Sequence, residues 1–182
     1  MQQKLATFFD CESDAGSAMR ATCLSISYIT CDLNNNFKII EELSGTINSK
    51  FKNSRPFETD AMLAHNIPIK DILNQKLSNG ELVDEWEKAF KKLSDKGTIF
   101  CGYNSFNYDN ILLNNSLFIN LKFPYITSKQ QFDLLPAIRA ASVFAIDPKT
   151  RERALNYDYN EKGNLSFKLQ TMLQANQITT KK

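Results

Sequence analysis

The sequence is poor in the side chains that most often hold transition metals in proteins. Its 182 residues include one histidine and four cysteines, together with only six glycines and five prolines. The cysteines, Cys11, Cys23, Cys31 and Cys101, form no Cys-x-x-Cys pair, whereas zinc sites are normally built from such pairs and from histidines. The composition therefore argues against a zinc site. It favours reduced thiols, of which Cys23 and Cys101 lie in apolar runs and are expected to be buried.

Long apolar runs and a strong excess of one charge are also missing. No stretch is apolar over the length that a membrane-spanning helix needs, and the residues before the first predicted strand do not form a signal peptide. The formal net charge is +2, which neither requires nor excludes nucleic acid as a partner. We expect one intracellular domain over residues 1–182, cytoplasmic or nucleoid-associated, with no membrane contact.

The first quarter of the chain predicts an antiparallel meander of three strands. Residues 4–10 form an apolar run, residues 21–31 alternate and are rich in β-branched residues, and residues 37–47 follow a turn at residues 32–36. The next segment, residues 48–66, shows no periodic pattern and is predicted to be irregular.

The remainder predicts helices around a further strand. A continuous apolar run at residues 98–103 predicts a central strand, and the polar residues 147–164 predict a surface loop. An apolar stripe with helical spacing predicts a helix over residues 81–94. Pro68 favours the start of a short helix over residues 69–77. Helices are also predicted over residues 107–119, 133–145 and 165–175. This order predicts an α/β fold, with a mixed sheet of about five strands flanked by helices.

Two carboxylates, Asp10 and Glu12, follow the first apolar run. Residues two apart on a strand point to the same face, so these side chains are expected to converge at one edge of the sheet. Like charges at short distance repel unless a cation lies between them, and hard cations such as Mg²⁺ prefer oxygen ligands of this kind. The alternative for an isolated acidic pair is an ordinary solvated strand end.

A third carboxylate, Asp109, follows the central predicted strand. It falls in the first turn of a predicted helix, where the helix dipole favours an anion. Asp109 is therefore either a helix-start acid or the partner of Asp10 and Glu12 across the sheet edge. For Asp133, which also precedes a predicted helix, the role of N-cap is favoured over that of a metal ligand.

Together with later motifs, the acidic pair resembles the DEDD (DnaQ-like) superfamily of 3′→5′ exonucleases, and the match is closer to the bacterial exonuclease I type than to proofreading domains. The resemblance covers about residues 5 to 178. The motifs that carry it are Asp10-Cys11-Glu12, Gly102-Tyr103-Asn104 with Tyr108-Asp109, Phe132-Asp133-Leu134-Leu135 leading into Arg139-Ala140, and Ser166-Phe167-Lys168-Leu169 with Ala175-Asn176.

The resemblance implies a ribonuclease-H-like fold and the hydrolysis of single-stranded DNA from a free 3′ end, an activity of DNA repair. It implies two Mg²⁺ ions, for which Mn²⁺ is expected to substitute. Asp10 would bind both ions, Glu12 one of them, and Asp109 the other. It also implies contacts with nucleic acid by six further residues: Ser13, Leu63, His65, Asn104, Tyr108 and Ser166.

The family also has a fourth carboxylate preceded by a histidine or a tyrosine, and no segment of this sequence matches that motif. The one histidine, His65, has no aspartate four or five residues after it, and Tyr28 with Asp32 lies in the wrong part of the fold. We therefore expect a chain truncated at its catalytic end. Its activity should be weak or absent, because the attacking water would lack its general base.

Two alternatives remain open at the level of sequence. A non-catalytic nucleic-acid-binding module of the same fold would keep the motifs found here without the fourth carboxylate. An exoribonuclease would differ only in a few contacts to the 2′-hydroxyl. The aromatic residues Phe106, Tyr108 and Phe132 could stack on bases, although their spacing favours the core.

Overall fold

The computed structural model describes residues 4–46, 57–73, 88–119, 128–146 and 155–178. The chain divides into two compact units, Met1–Phe132 and Asp133–Lys182.

Five strands form one mixed sheet: β1 (Leu5–Ser13), β2 (Cys23–Asp32), β3 (Lys38–Thr46), β4 (Ile99–Gly102) and β5 (Gln131–Asp133). Their order is β3-β2-β1-β4-β5. The first three strands form the antiparallel meander, and β4 pairs in parallel with β1. The predicted α/β class and the mixed sheet are therefore confirmed, while β5 is too short to give a pattern in the sequence.

Six helices are described: α1 (Thr59–His65), α2 (Ile69–Leu73), α3 (described over residues 88–95), α4 (Asp109–Ile119), α5 (Leu134–Ile146) and α6 (Leu169–Ala175). Of the predicted helices over 69–77 and 81–94, residues 74–87 lie outside the described residues. None of the described helices is long and apolar enough to cross a membrane.

Two predictions about irregular segments are wrong. The segment 48–66 contains α1, which the sequence did not indicate because no residue of this helix is buried and no apolar stripe marks it. The segment 147–164 contributes to a short hairpin of β6 (Asp158–Tyr159) with β7 (Leu165–Ser166). Strand β7 also takes the first two residues of the helix predicted over 165–175, so that α6 begins at Leu169.

The core of the first unit lies between one face of the sheet and the helices α3 and α4. Phe9 and Cys11 of β1 belong to this core. The ring of Phe90 on α3 packs edge-on against Phe9 and Phe100, with centroids at 6.0 and 5.4 Å. Because side chains alternate along a strand, the burial of Phe9 and Cys11 places Asp10 and Glu12 on the opposite face.

The second unit is held by aromatic and amide contacts of its own. The Tyr157 ring packs edge-on against Phe167 at 5.9 Å, and its hydroxyl donates to the main-chain oxygen of Ile138 at 2.9 Å. The guanidinium of Arg139 lies over the Phe167 ring at 5.7 Å. At the start of α5, the Leu135 N–H donates to Asp133 Oδ1 at 3.0 Å, which confirms Asp133 as an N-cap.

Candidate functional site

Asp10 and Glu12 lie in the last part of β1, on one face of the sheet. Asp10 is exposed and Glu12 is half-buried. Partial burial and the negative charge of Asp10 together raise the pKa of the Glu12 carboxyl to about 7. The pKa of Asp10 is also raised by loss of solvation, against a lowering effect of the Cys11 main-chain hydrogen bond. Loss of solvation is therefore the largest cause of both shifts.

Asp109 is the first residue of α4 and is only 4% exposed. Its Oδ1 accepts a hydrogen bond of 3.0 Å from the main-chain N–H of Cys11, the residue between Asp10 and Glu12. Burial, with the charge of Asp10 and a smaller effect of Glu12, raises the pKa of Asp109 to about 7. The structure thus brings the three predicted acids into one electrostatic environment, and Asp109 is more than a helix-start acid.

The three carboxylates fit the donor chemistry of a hard divalent cation. Their oxygens are the ligands that Mg²⁺ prefers, and in the part of the chain that the structure describes no lysine or arginine forms an ion pair with any of them. Among the described residues, no group of three or more His, Cys, Asp or Glu side chains is placed so that it could hold a metal ion by itself. Mg²⁺ is usually bound by one or two carboxylates together with waters and substrate phosphates.

Asp14 continues the two-residue spacing of Asp10 and Glu12, but its side chain has a different role. The strand register shifts between Glu12 and Ser13, and β1 ends at Ser13. The buried Asp14 carboxylate accepts the Thr22 N–H at 2.6 Å. Asp14 therefore stabilises the loop that leaves β1, a role that alternation in the sequence could not have indicated.

The same loop holds the start of α1. The Glu58 N–H donates to the main-chain oxygen of Asp14 at 3.0 Å, and the Glu58 carboxylate accepts the Gly16 N–H at 2.8 Å. Arg20 lies 3.8 Å from that carboxylate. These contacts position α1 beside the end of β1, and sequence reasoning missed Glu58 because a single acid in an irregular segment gives no signal.

Two residues of α1 were predicted to contact nucleic acid. Leu63 is 68% exposed. His65 accepts the Ile67 N–H at Nδ1 over 2.9 Å, so its neutral ring carries the proton on Nε2. That Nε2 atom is buried without a hydrogen-bond partner among the described residues, and burial lowers the pKa of His65.

The loop between β4 and α4 carries Asn104 in a left-handed conformation, with φ at 61°. Its Oδ1 accepts from Asn107 Nδ2 at 3.0 Å. Gly102 is required before this turn, because a Cβ at that position would lie 2.4 Å from the Cβ of Ser105. Phe106 in the same loop is 45% exposed.

Ser13 and Tyr108 lie together, with their hydroxyl groups in hydrogen-bond contact. Tyr108 is half-buried, whereas Phe132, like Phe106, is nearly half exposed. The interpretation of Phe106 and Phe132 as core residues is therefore wrong, because each residue keeps nearly half of its surface exposed. Ser166 lies in β7 of the second unit and is half-buried.

The chain is similar in structure to solved exonuclease I proteins. It aligns with E. coli exonuclease I in complex with a dA16 oligonucleotide at a TM-score of 0.79 and 20% identity, over 98% of this chain and 37% of that chain. It aligns with exonuclease I from Methylocaldum szegediense at a TM-score of 0.80 and 18% identity, over 98% of this chain and 36% of that chain.

A third structure, exonuclease I with the inhibitor BCBP, aligns at a TM-score of 0.78 and 19% identity over 100% of this chain and 38% of that chain. No protein-family model matches the sequence, and no curated protein sequence matches it. The alignments show that this chain spans less than two thirds of the length of each of these exonuclease I chains. The predicted fold is confirmed: this chain has the ribonuclease-H-like exonuclease fold of exonuclease I.

Proposed function

We propose that this chain is a divalent-metal-dependent 3′→5′ exonuclease that acts on single-stranded DNA. The observation that carries the proposal is the hydrogen bond between Cys11 N–H and Asp109 Oδ1. It ties an acid on α4 to the strand position between Asp10 and Glu12. A helix acid with a merely local role would have no reason to be buried against two other acids.

In this proposal Asp10 would contact two metal ions, Glu12 would hold one of them, and Asp109 would hold the other. When bound, such ions lower the pKa of an attacking water and stabilise the departing 3′ oxygen. The three carboxylates fix the position of the ions and offset their charge, so that an anionic phosphodiester can enter and leave. Mg²⁺ is the expected ion and Mn²⁺ an expected substitute.

Further residues of the chain are proposed to bind the strand. The exposed ring of Phe106 lies three residues before Asp109 and offers a face on which a base can stack. Leu63 offers an exposed apolar contact, and the Nε2–H of His65 is a donor without a partner among the described residues. Asn104 and Ser166 complete the proposed set of nucleic-acid contacts.

Hydrolysis by this chain is expected to be slow. The sequence has a single histidine, and His65 already accepts a hydrogen bond at Nδ1 from Ile67. No side chain described beside the three acids can therefore act as the histidine base of the family, a function that typically contributes a factor of about 10² to 10⁴ in rate. A non-catalytic nucleic-acid-binding module is the second candidate, favoured by the same observation.

The proposal is tested by digestion of a 5′-labelled single-stranded DNA with Mg²⁺ or Mn²⁺. We expect a ladder that shortens from the 3′ end and that is abolished in Asp10→Ala. Asp71→Ala is the matched control, because Asp71 is an exposed acid on α2 and is not among the predicted site residues. The same assay with an RNA strand decides between a deoxyribonuclease and an exoribonuclease.

Each result has a distinct meaning. A metal-dependent ladder that survives in Asp71→Ala and disappears in Asp10→Ala supports the exonuclease. DNA binding without digestion, at any concentration of Mn²⁺, would favour the binding module instead. Digestion that Asp10→Ala leaves unchanged would contradict the assignment of the site.

A further inference from the structure

Two hydroxyl groups meet at one main-chain carbonyl beside the acidic site. Tyr108 OH donates to the oxygen of Ala15 at 2.6 Å, and Ser13 Oγ donates to the same oxygen at 3.0 Å. The two hydroxyls also contact each other. Ser13 is 5% exposed and Tyr108 is half-buried. We call Ser13, Tyr108 and the Ala15 carbonyl the hydroxyl clamp.

Both hydroxyl hydrogen atoms of the clamp take part in hydrogen bonds within the protein. A hydroxyl group has one hydrogen to donate. The Tyr108 hydrogen is held by the Ala15 carbonyl, and the Ser13 hydrogen lies between that carbonyl and the Tyr108 oxygen. A phosphate oxygen only accepts hydrogen bonds at neutral pH, so neither group can donate to it without breaking a contact inside the protein.

The clamp links the end of β1 to the residue that precedes α4. Ser13 directly follows Glu12 in sequence, and Tyr108 directly precedes Asp109. A further link is the hydrogen bond from Cys11 N–H to Asp109 Oδ1. The two links therefore connect the residues on both sides of Glu12 with the first turn of α4.

We propose that Ser13 and Tyr108 are positioning residues, which hold Asp109 against the end of β1 and do not contact nucleic acid. The sequence resemblance implies substrate contacts for both residues. Their hydroxyl hydrogen atoms already form hydrogen bonds within the protein, which favours the internal role. The consequence for metal affinity rests on the proposed function, because the clamp fixes Asp109 relative to the other two acids.

Hydrogen exchange at the Cys11 amide of the metal-free, full chain tests the clamp directly. This amide is bonded to Asp109, so its exchange requires that contact to open. Tyr108→Phe removes one hydroxyl and should accelerate Cys11 exchange about tenfold, while amides at the centre of β2 keep the wild-type rate. Tyr28→Phe is the matched control, because it removes a tyrosine hydroxyl that donates to Glu41 at 3.0 Å.

Two binding measurements follow on the same proteins. Calorimetric titration with Mn²⁺ should show affinity lowered about tenfold in Tyr108→Phe and in Ser13→Ala, as for other residues that orient metal ligands. Tyr28→Phe should keep the wild-type affinity. Binding of a single-stranded oligonucleotide without metal should be unchanged in all three variants.

The proposed positioning role of the clamp is contradicted if the Cys11 amide exchanges at the same rate in Tyr108→Phe as in the wild type. It is also overturned if the clamp variants keep their Mn²⁺ affinity and lose affinity for the oligonucleotide, because both hydroxyls then contact the strand. If the wild type binds no Mn²⁺ and Cys11 exchange still accelerates in Tyr108→Phe, the clamp holds and the proposed function fails. The two proposals are therefore separable.

Discussion

At the scale of single residues, the central feature is a set of acids held where ionisation is unfavourable. Loss of solvation and mutual repulsion raise the pKa of Glu12 and of Asp109 to about 7. A carboxyl whose pKa is higher in the folded than in the unfolded protein stabilises the fold at low pH, and this contribution is lost as the pH rises through the folded value. Without a cation, these acids therefore oppose folding at neutral pH.

Asp109→Asn should raise the stability of the metal-free protein above pH 7. The amide oxygen still accepts the Cys11 N–H, while the buried charge beside Asp10 is removed. We expect a gain on the order of 1 kcal/mol in the free energy of unfolding at pH 8, with little or no gain at pH 4. Urea denaturation in the presence of a chelator at both pH values measures this difference. An equal effect of the substitution at pH 4 and pH 8 would contradict the electrostatic explanation.

At the scale of elements, Glu41 joins the edge of the sheet to a helix. Its carboxylate on β3 accepts from Tyr28 OH at 3.0 Å and from Lys92 Nζ at 2.8 Å. The hydrogen bond from Lys92 is the largest cause of a lowered pKa at Glu41. Burial, together with the hydrogen bond to Glu41 and the negative charge of Glu41, raises the pKa of Tyr28 to about 12. Strand β3 is thereby tied to both β2 and α3.

Glu41→Gln should lower stability at pH 7 by about 0.5–1 kcal/mol, a modest value because the ion pair is partly exposed. Since the pKa of Glu41 is lowered in the folded protein, its contribution exists above the unfolded pKa and is lost as the pH falls through the folded value. Thermal unfolding at pH 7 and at pH 3 measures this dependence. The control is Glu42→Gln, the exposed neighbour on the same strand, which should change stability at neither pH.

The turn between β4 and α4 depends on Gly102. An alanine there would bring its Cβ to 2.4 Å from that of Ser105, so the turn that leads to Asp109 must shift. We expect Gly102→Ala to cost about 1–3 kcal/mol of stability and to lower Mn²⁺ affinity. Gly97→Asn is the control, because φ at Gly97 is +70° with nothing within 4 Å of a Cβ, and asparagine tolerates that conformation. A stable Gly102→Ala protein with wild-type Mn²⁺ affinity would contradict this role of the turn.

At the scale of the whole molecule, the sequence predicted those features that leave a regular pattern of apolar residues or a fixed spacing of polar ones. The β1 strand followed from an apolar run, the shared face of Asp10 and Glu12 from the alternation of side chains along a strand, and the sheet class from the order of the elements. The contact of Asp109 with Cys11 joins residues 98 positions apart. The sequence pattern left the position of Asp109 near Asp10 and Glu12 open beside a helix-start role, and the resemblance to a known family favoured it. Helix α1 and the β6–β7 hairpin escaped prediction because the first buries no residue and the strands of the second have two residues each.

The role of the hydroxyl groups could not be predicted for a similar reason. A serine after an acid and a tyrosine before another acid are compatible with substrate contacts as well as with internal hydrogen bonds. Only the distances to the Ala15 carbonyl favour the second role. Local sequence indicates which chemical groups are present at a sheet edge, whereas packing decides where their hydrogen atoms point.

The measurement that tests the central claim most directly is the Mn²⁺ affinity of the wild type beside that of Asp109→Asn, by calorimetric titration at pH 8. If Asp109 belongs to one metal site with Asp10 and Glu12, the wild type binds Mn²⁺ and the variant binds it at least about tenfold more weakly. Asp71→Asn, which changes an exposed acid on α2, keeps the wild-type affinity. Equal affinities of the wild type and Asp109→Asn, or no Mn²⁺ binding by the wild type, would contradict the claim.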